Sequence, residues 1–211
     1  MDYGASMERR TAFCDQRRLG VSALTSKVHA RGFTLLEALV AAALAALLIG
    51  FAIPSFIELN KNQRLVTAAN ELLVSLSLAR SVSLTTRAPT VVCRSSNATQ
   101  PNPVCGAGSS WHEGWIVFSD NNANGIYEAA TEQLWEQHSP LIGKLTINSG
   151  GNADPFVRFS ALGTVPGFNS TFQICDDRKS DGKYADRMRQ VVLAFSGRAQ
   201  VRHGIGGTAC K

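Results

Sequence analysis

One carboxylate stands near the start of a long apolar run, and its position raises the first chemical question about this sequence. Glu37 is the only charged side chain between Phe33 and Ile57, a stretch of 25 residues. About 20 apolar residues in a helix cross a bilayer, and an acid within such a helix is costly unless an opposite charge meets it. Two interpretations are open: Glu37 reaches the headgroups from the end of the helix, or it pairs with a cation on another chain.

The apolar run predicts a retained membrane helix rather than a cleaved secretory signal. A signal has an apolar core of roughly 7 to 15 residues followed by a small-residue cleavage site, whereas this run is longer and no such site follows it. Lys27 and Arg31 precede the run, and flanking positive charge predicts that this end stays in the cytoplasm. The rest of the chain is then expected on the other side of the membrane.

Four cysteines in the part predicted to leave the cytoplasm indicate disulfide bonds, which an oxidising compartment favours. They are Cys93, Cys105, Cys175 and Cys210, and a fifth, Cys14, precedes the apolar run. Four cysteines allow three pairings, and we favour Cys93 with Cys105 and Cys175 with Cys210 because each pair closes one local loop. A metal site is the alternative, but the sequence has no C-x-x-C spacing and its histidines are scattered, so we predict no metal and no cofactor.

A loop rich in Asp, Asn and Gly raises the question of calcium. The residues at the first, third, fifth and sixth places of an EF-hand pattern are Asp120, Asn122, Asn124 and Gly125. The twelfth place holds Thr131 instead of a bidentate glutamate, and Glu132 comes one residue too late. We therefore favour a turn between two strands, since Asn, Asp and Gly tolerate left-handed backbone and bond to it.

The sequence after the apolar run predicts an amphipathic helix followed by a sheet. Apolar residues recur at three- and four-residue steps until Pro89 ends the helix, namely Leu65, Ala69, Leu72, Leu73, Leu76 and Ala79. The runs that predict strands are TVVCR, GWIVFSD, LTIN, VRFS, TFQIC, RQVVLAF and, after a turn at Ser196 and Gly197, AQVR. They are too closely spaced for crossover helices, so they should pair antiparallel. The fold class is α+β, with one long N-terminal helix packed on an antiparallel β-sheet.

No sequence pattern for catalysis is present. The chain has no phosphate-binding glycine loop, no H-E-x-x-H and no G-x-S-x-G. We therefore predict that the protein is not an enzyme and that it acts by assembly and contact. A carrier of small ligands is another hypothesis, with Trp111, Trp115 and Trp135 lining a pocket, but aromatic residues in a sheet more often form core.

The segment RGFTLLE, residues 31–37, resembles the prepilin peptidase motif of type IV pilins and pseudopilins. The resemblance implies cleavage after Gly32 by the prepilin peptidase, N-methylation of Phe33, and pairing of Glu37 with the N-terminal amine of a neighbouring subunit. It also implies a single-pass protein of the inner membrane with its C-terminal domain in the periplasm, extracted into a pilus or pseudopilus alongside other pilins. A proline that bends the helix, here Pro54, is common in the same family.

The motif and the patterns together divide the chain into four expected parts. They are a leader (1–32), the membrane-spanning half of the helix (33–57), its amphipathic half (58–88) and a β-rich domain with a basic C-terminal tail (89–211). The leader is long for a pilin, and we expect translation to start further in, near Val21 or Val28.

Three segments resemble the GspH/FimT group of minor pseudopilins: LLEALV, the run GWIVFSD followed by NxNG, and the C-terminal SGR. Two roles share this fold. One is a FimT-like minor pilin of the type IV pilus that binds DNA for natural transformation through a G-R-x-R motif, and the other is a GspH-like minor pseudopilin of type II secretion. Gly197 and Arg198 match the motif, whereas Gln200 replaces its second arginine.

The C-terminal tail concentrates positive charge. Residues 176–211 hold eight Lys/Arg and four Asp/Glu (net +4), whereas residues 33–175 hold seven and nine (net −2). Alternate residues of a strand share a face, so Arg198, Gln200 and Arg202 are expected to point the same way, with Arg202 replacing the missing charge one pair of residues further on. The residues predicted to contact DNA phosphates without reading sequence are Arg178, Lys179, Lys183, Arg187, Arg189, Arg198 and Arg202. The alternative is a solvated basic surface that the four nearby aspartates half neutralise.

Overall fold

The computed structural model describes residues 32–106, 109–150, 153–167, 169–178 and 188–204. One helix, α1, runs from Leu35 to Thr86 and contains Pro54. It ends just before Arg87, whose φ of 53° is left-handed and which precedes the sequence Ala88-Pro89. The helix therefore ends where the proline predicts.

The chain divides into two compact units, residues 1–46 and 47–211. In the described part of the first unit, every side chain from Gly32 to Ala46 is exposed. Because nothing within that unit covers these apolar residues, the unit has no core of its own among its described residues. The sequence run in α1 is long and apolar enough to cross a membrane by length and composition.

The described residues of the second unit form eight strands after α1. They are β1 (Thr90–Arg94), β2 (Trp115–Ser119), β3 (Leu134–His138), β4 (Thr146–Gly150), β5 (Phe156–Phe159), β6 (Ser170–Cys175), β7 (Met188–Leu193) and β8 (Ala199–His203). All pair antiparallel and form two four-stranded sheets, ordered β3-β2-β1-β5 and β4-β6-β7-β8. A short 3-10 helix, Trp111–Glu113, precedes β2.

The core of this unit lies between α1 and the two sheets. The helix contributes a fully buried stripe of residues at three- and four-residue steps: Leu65, Ala68, Ala69, Leu72, Leu76 and Ala79. The small alanines let the sheets approach the helix, and aromatic side chains from the sheet side fill the remaining space. Trp111 and Phe172 meet edge to face, with ring centroids 5.0 Å apart. The tryptophans Trp111 and Trp115 are thus core residues, as aromatic residues in a sheet usually are.

The α+β prediction is confirmed, with two differences. The strands divide between two sheets instead of one, because β4 pairs with β6 and not with its sequence neighbour β3. Strand β3, LWEQH, was not predicted. It lies at a sheet edge with every side chain partly or fully exposed, and it lacks the β-branched residues by which a strand is recognised.

Candidate filament and nucleic-acid interfaces

Glu37 lies in the first turn of α1, at a position that suits a carboxylate for local reasons. Thr34 precedes the helix, and its Oγ1 accepts a hydrogen bond from the backbone N–H of Glu37 at 3.2 Å. Thr34 is therefore the N-cap and Glu37 the third helical residue, which is the spacing of a capping box. A negative charge here also faces the positive end of the helix dipole. The Glu37 carboxylate has no hydrogen bond or ion pair among the described residues and is exposed.

The same end of α1 exposes many large apolar side chains close together, and exposing them to water is unfavourable. Phe33 is 82% exposed and Leu36 72%. An uncovered apolar helix of this kind requires a bilayer or other apolar helices around it. The geometry thus leaves an apolar rod with one free carboxylate, available to a partner outside the chain.

The two arginines at the C-terminal hairpin stand in a row on the surface. Arg198, Gln200 and Arg202 are exposed, while Ala199 and Val201 between them pack against the core. Strand β8 is the edge of its sheet, and the face that carries these three side chains is open to solvent. Among the described residues neither guanidinium pairs with a carboxylate. The expectation that Arg198 and Arg202 share a face agrees with the structure.

Gly197 fixes the place of this row. Its φ is 75°, in the left-handed region that favours glycine, and its N–H donates to the carbonyl of Ala194 to close the turn. A β-carbon on Gly197 would collide with the backbone of Gly163 and lie 3.3 Å from Nε of Arg80. The glycine of the SGR segment is therefore required by packing. Arg198 is the next residue, so the position of the turn sets where Arg198 lies.

Arg178 is part of a buried network instead of an open phosphate site. Its guanidinium pairs with Glu58 at 2.5 Å and Asp176 at 2.5 Å, and donates to the amide oxygen of Asn62 at 2.8 Å. The side chain is only 7% exposed. Burial disfavours its charge, but the hydrogen bonds with Asp176 and Glu58 outweigh burial and raise the pKa of Arg178 above its ordinary value. These bonds tie the end of β6 to α1.

Arg189 is also inaccessible. It lies in β7, is 8% exposed, and donates to the carbonyl of Met188. Lys179, Lys183 and Arg187 fall outside the described residues. We therefore correct the predicted phosphate-binding set by removing Arg178 and Arg189, because a buried, bonded guanidinium cannot reach a phosphate without losing its partners.

One predicted disulfide is present in the described residues. Cys93 of β1 and Cys105 are bonded, with Cα atoms 5.6 Å apart, and are 12 positions apart in the sequence. Cys175 is also disulfide-bonded, but Cys210 lies outside the described residues, so its pairing with Cys175 stays a prediction. The first disulfide secures the segment after β1 to the sheet.

The Asp120 loop is closed by its own hydrogen bonds. Asp120 is fully buried, and its carboxylate accepts from the N–H groups of Asn124 and Gly125 and from Arg158 at 3.0 Å. Glu132 accepts from the N–H groups of Asn121 and Glu128. Burial raises the pKa of Glu132, although these two backbone bonds oppose the shift. The oxygens that a calcium ion would use already hold the turn together, as the turn interpretation requires.

A cluster of cations near the apolar run was missed by sequence reasoning. Lys61 and Arg64 of α1 and Lys144 of the β3–β4 loop line a cavity of about 260 Å³ with Asp176 and Asp177. Lys61 and Asp177 pair at 3.0 Å, and the hydrogen bond from Lys61 lowers the pKa of Asp177. Two basic residues soon after an apolar run were a usable signal, but Lys144 lies too far along the chain to be linked with them.

The fold and the uncovered helix start together define a type IV pilin-like protein. Residues 27–53 match the prokaryotic N-terminal methylation motif, and residues 68–197 match the type II transport protein GspH family. The second match covers 130 of 211 residues, so the chain belongs to the GspH family. It is a minor pilin or pseudopilin, of a type IV pilus or of type II secretion.

Solved structures with a similar fold include the type IV minor pilin FimU of Pseudomonas aeruginosa. The identity is 23%, the match covers 74% of this chain and 97% of FimU, and the TM-score is 0.50. The minor pseudopilin EpsH of the Vibrio cholerae type 2 secretion system is 13% identical, with 66% and 97% covered and a TM-score of 0.45. At 23% identity the likeness to FimU is one of fold. No curated protein matches the chain significantly.

Proposed function

We propose that this chain is cleaved after Gly32 and then assembles through α1 into a membrane-built filament. The observation that carries the proposal is the apolar helix start, whose only charge is the carboxylate of Glu37, without an ion pair in the part of the chain that the structure describes. Cleavage would create an ammonium group at Phe33, which a neighbouring subunit's Glu37 could pair with in the apolar interior. The methylation motif at residues 27–53 supports this proposal.

The processed chain would span the inner membrane once, with the domain in the periplasm. Lys27 and Arg31 before the span favour that orientation, and the disulfides fit an oxidising compartment. Before extraction, the membrane would cover the apolar half of α1. After extraction, the helices of sister subunits would cover it.

The assembly proposal is tested by separating processing from pairing. Glu37→Gln keeps the shape of the side chain but removes its charge, so we expect the leader to be removed while the subunit is lost from sheared filaments. Mass spectrometry of the membrane fraction measures processing, and immunoblotting of filaments measures incorporation. Leu36→Met is the matched control and should assemble normally. Normal incorporation of the Glu37→Gln chain would contradict the pairing.

We further propose that β8 binds DNA by its phosphates, as in a FimT-like minor pilin active in natural transformation. The observation in favour is the exposed row Arg198, Gln200 and Arg202 at a sheet edge, without carboxylate partners among the described residues. The two arginines are four positions apart, about 13 Å along a strand. Such contacts would be independent of sequence and strongly dependent on salt. Without DNA binding, the chain would serve as a GspH-like pseudopilin.

Fluorescence anisotropy with the full chain in detergent and labelled duplex DNA tests this proposal. Each lost phosphate contact lowers the slope of log affinity against log salt by about 0.9. Arg198→Gln with Arg202→Gln should therefore reduce the slope by roughly two contacts, and Gln200→Arg should add one. The control pair Arg64→Gln with Lys144→Gln removes the same net charge elsewhere and should leave most binding intact. Equal loss in both pairs would indicate general charge, not a site.

A further inference from the structure

The described domain carries basic side chains where α1 leaves its apolar run. Lys61 and Arg64 follow Ile57 by four and seven residues, which are rises of about 6 and about 10 Å along a helix. Helical side chains tilt toward the N-terminus. The long side chains of both residues therefore lean back toward the apolar run, where a membrane surface would lie.

The loop between β3 and β4 lies at the same level. A β-carbon on Gly143 would stand 3.0 Å from Nη1 of Arg64, so the loop runs directly against that guanidinium. On either side of Gly143, the exposed Lys144 and Ile142 extend from the loop. Ile142 is 82% exposed, more than any other large apolar side chain among the described residues of the second unit.

Four cations and three carboxylates lie here, so the local net charge is +1, and two of the cations form no ion pair among the described residues. Lys61 is paired with Asp177, and Arg178 with Asp176 and Glu58. Arg64 has no ion pair among the described residues, and Lys144 acts on Asp177 from a distance without forming one. The cavity that Arg64 and Lys144 help to line, of about 260 Å³, opens on this face of the domain.

We propose that the loop Leu141–Leu145 is a membrane-surface contact: Ile142 inserts among the headgroups, while Arg64 and Lys144 bind lipid phosphates. The headgroup layer is roughly 5 to 8 Å thick on each side of a bilayer, within reach of these side chains. An exposed apolar side chain close to two cations suits a bilayer surface, where the apolar side chain meets the acyl boundary and the cations meet anionic phosphates. The contact holds the domain against the membrane before the subunit is extracted.

Leu162 provides a matched comparison within the same domain. It is 78% exposed, but its neighbour Gly163 packs on Leu84. Leu84 lies 27 residues beyond Ile57, a rise of about 40 Å along α1. Leu162 therefore has the same apolar exposure far from the span, and it should not contact lipid.

Quenching by brominated lipid tests the proposal with the full chain in vesicles of phosphatidylcholine and phosphatidylglycerol. Ile142→Trp and Leu162→Trp are compared with the unsubstituted chain, whose tryptophan emission is subtracted. We expect brominated acyl chains to quench the added emission of Ile142→Trp, and not that of Leu162→Trp. Arg64→Gln and Lys144→Gln should each lower the ratio of membrane-bound to unbound loop by roughly fivefold. Removing phosphatidylglycerol should lower the same ratio.

The result that overturns the proposal is equal quenching, or none, at both positions. If quenching at position 142 is unchanged without phosphatidylglycerol and in both charge variants, Arg64 and Lys144 do not bind lipid phosphates. The inference rests on membrane anchoring by α1, which flotation of the same vesicles measures separately. A chain that floats without quenching refutes the loop contact alone, whereas a chain that does not float refutes the anchoring.

Discussion

The two halves of α1 bury their apolar side chains in opposite ways. The described residues of α1 up to Asn60 are all exposed, whereas Leu65, Leu72 and Leu76 are fully buried beneath the sheets. The hydrophobic content of a helix therefore does not by itself say what covers it. The second half obtains its cover from the chain's own strands, and the first half leaves its cover to lipid or to other subunits. Stability and assembly are thus divided along one helix.

The largest expected effect separates the halves by stability. Leu72→Ala should lower the free energy of unfolding of the domain by about 2 to 5 kcal/mol, because it opens a cavity in a packed core. Leu47→Ala, at a side chain that is 61% exposed, should leave that free energy unchanged. Denaturant titration followed by tryptophan fluorescence measures both. Equal destabilisation by the two variants would mean that the first half contributes to the domain's core.

The domain that covers the second half of α1 also contains a covalent bond, which joins β1 to the segment that follows it. Replacing Cys93 and Cys105 together by alanine should lower the free energy of unfolding by about 3 kcal/mol, because a loop of this length gains entropy in the unfolded chain. The paired replacement is more specific than a reductant, since Cys175 is disulfide-bonded too. Thermal denaturation compares the variant with the parent. Unchanged stability would mean that the bond does not constrain the unfolded state.

A smaller effect is expected from a buried polar group on the covered half. Ser75 is fully buried, accepts from Nε1 of Trp115 at 2.8 Å and donates to Glu136 at 2.8 Å. Ser75→Ala should cost about 1 to 3 kcal/mol because it leaves the indole N–H without a partner. Ser77→Ala, two residues along and exposed, removes only a bond to its own helix and should change stability by less than about 0.5 kcal/mol. The two urea midpoints should differ accordingly.

The smallest effect is electrostatic and lies where the two halves meet. The hydrogen bond from Lys61 lowers the pKa of Asp177 below 3.8. The pair therefore stabilises the fold above that pH and loses its contribution as pH falls through the lowered pKa. Lys61→Met should return the pKa of Asp177 toward its ordinary value, as measured by NMR titration of the carboxyl carbon. An unchanged titration would show that another group holds the carboxylate ionised.

The sequence predicted what depends on local pattern. The end of the helix before Pro89, the turn at Gly197 and the antiparallel pairing all follow from short-range steric rules, and the structure agrees with them. Strand β3 escaped notice because Glu136, Gln137 and His138 have no strand preference of their own. Its pairing with β2 across the connecting residues 120–133 makes it a strand, and a local propensity does not contain that contact.

The exposed basic side chains of the candidate DNA-binding surface were predicted correctly only where side chains alternate between the two faces of a strand. Arg202 lies in β8 and Arg198 directly precedes it, so the alternation of a strand predicts that both side chains are on the face opposite Ala199 and Val201. Arg178 is also a basic residue of the C-terminal tail, but its guanidinium donates a hydrogen bond to Glu58, 120 positions earlier in the sequence. Burial of a charge depends on such distant partners, which a pattern of neighbouring residues does not contain.

The close approach of Gly163 to the turn at Gly197 decides how a fibre of these subunits can be visualised. An epitope inserted at that hairpin tip would force the two turns apart, and so would displace the arginines whose placement the experiment was meant to follow. A small dye attached in place of Gln200, which is outward-facing, leaves the junction intact. Fluorescence imaging of filaments near this hairpin then requires a small chemical label, and a genetically encoded tag must be placed elsewhere in the chain.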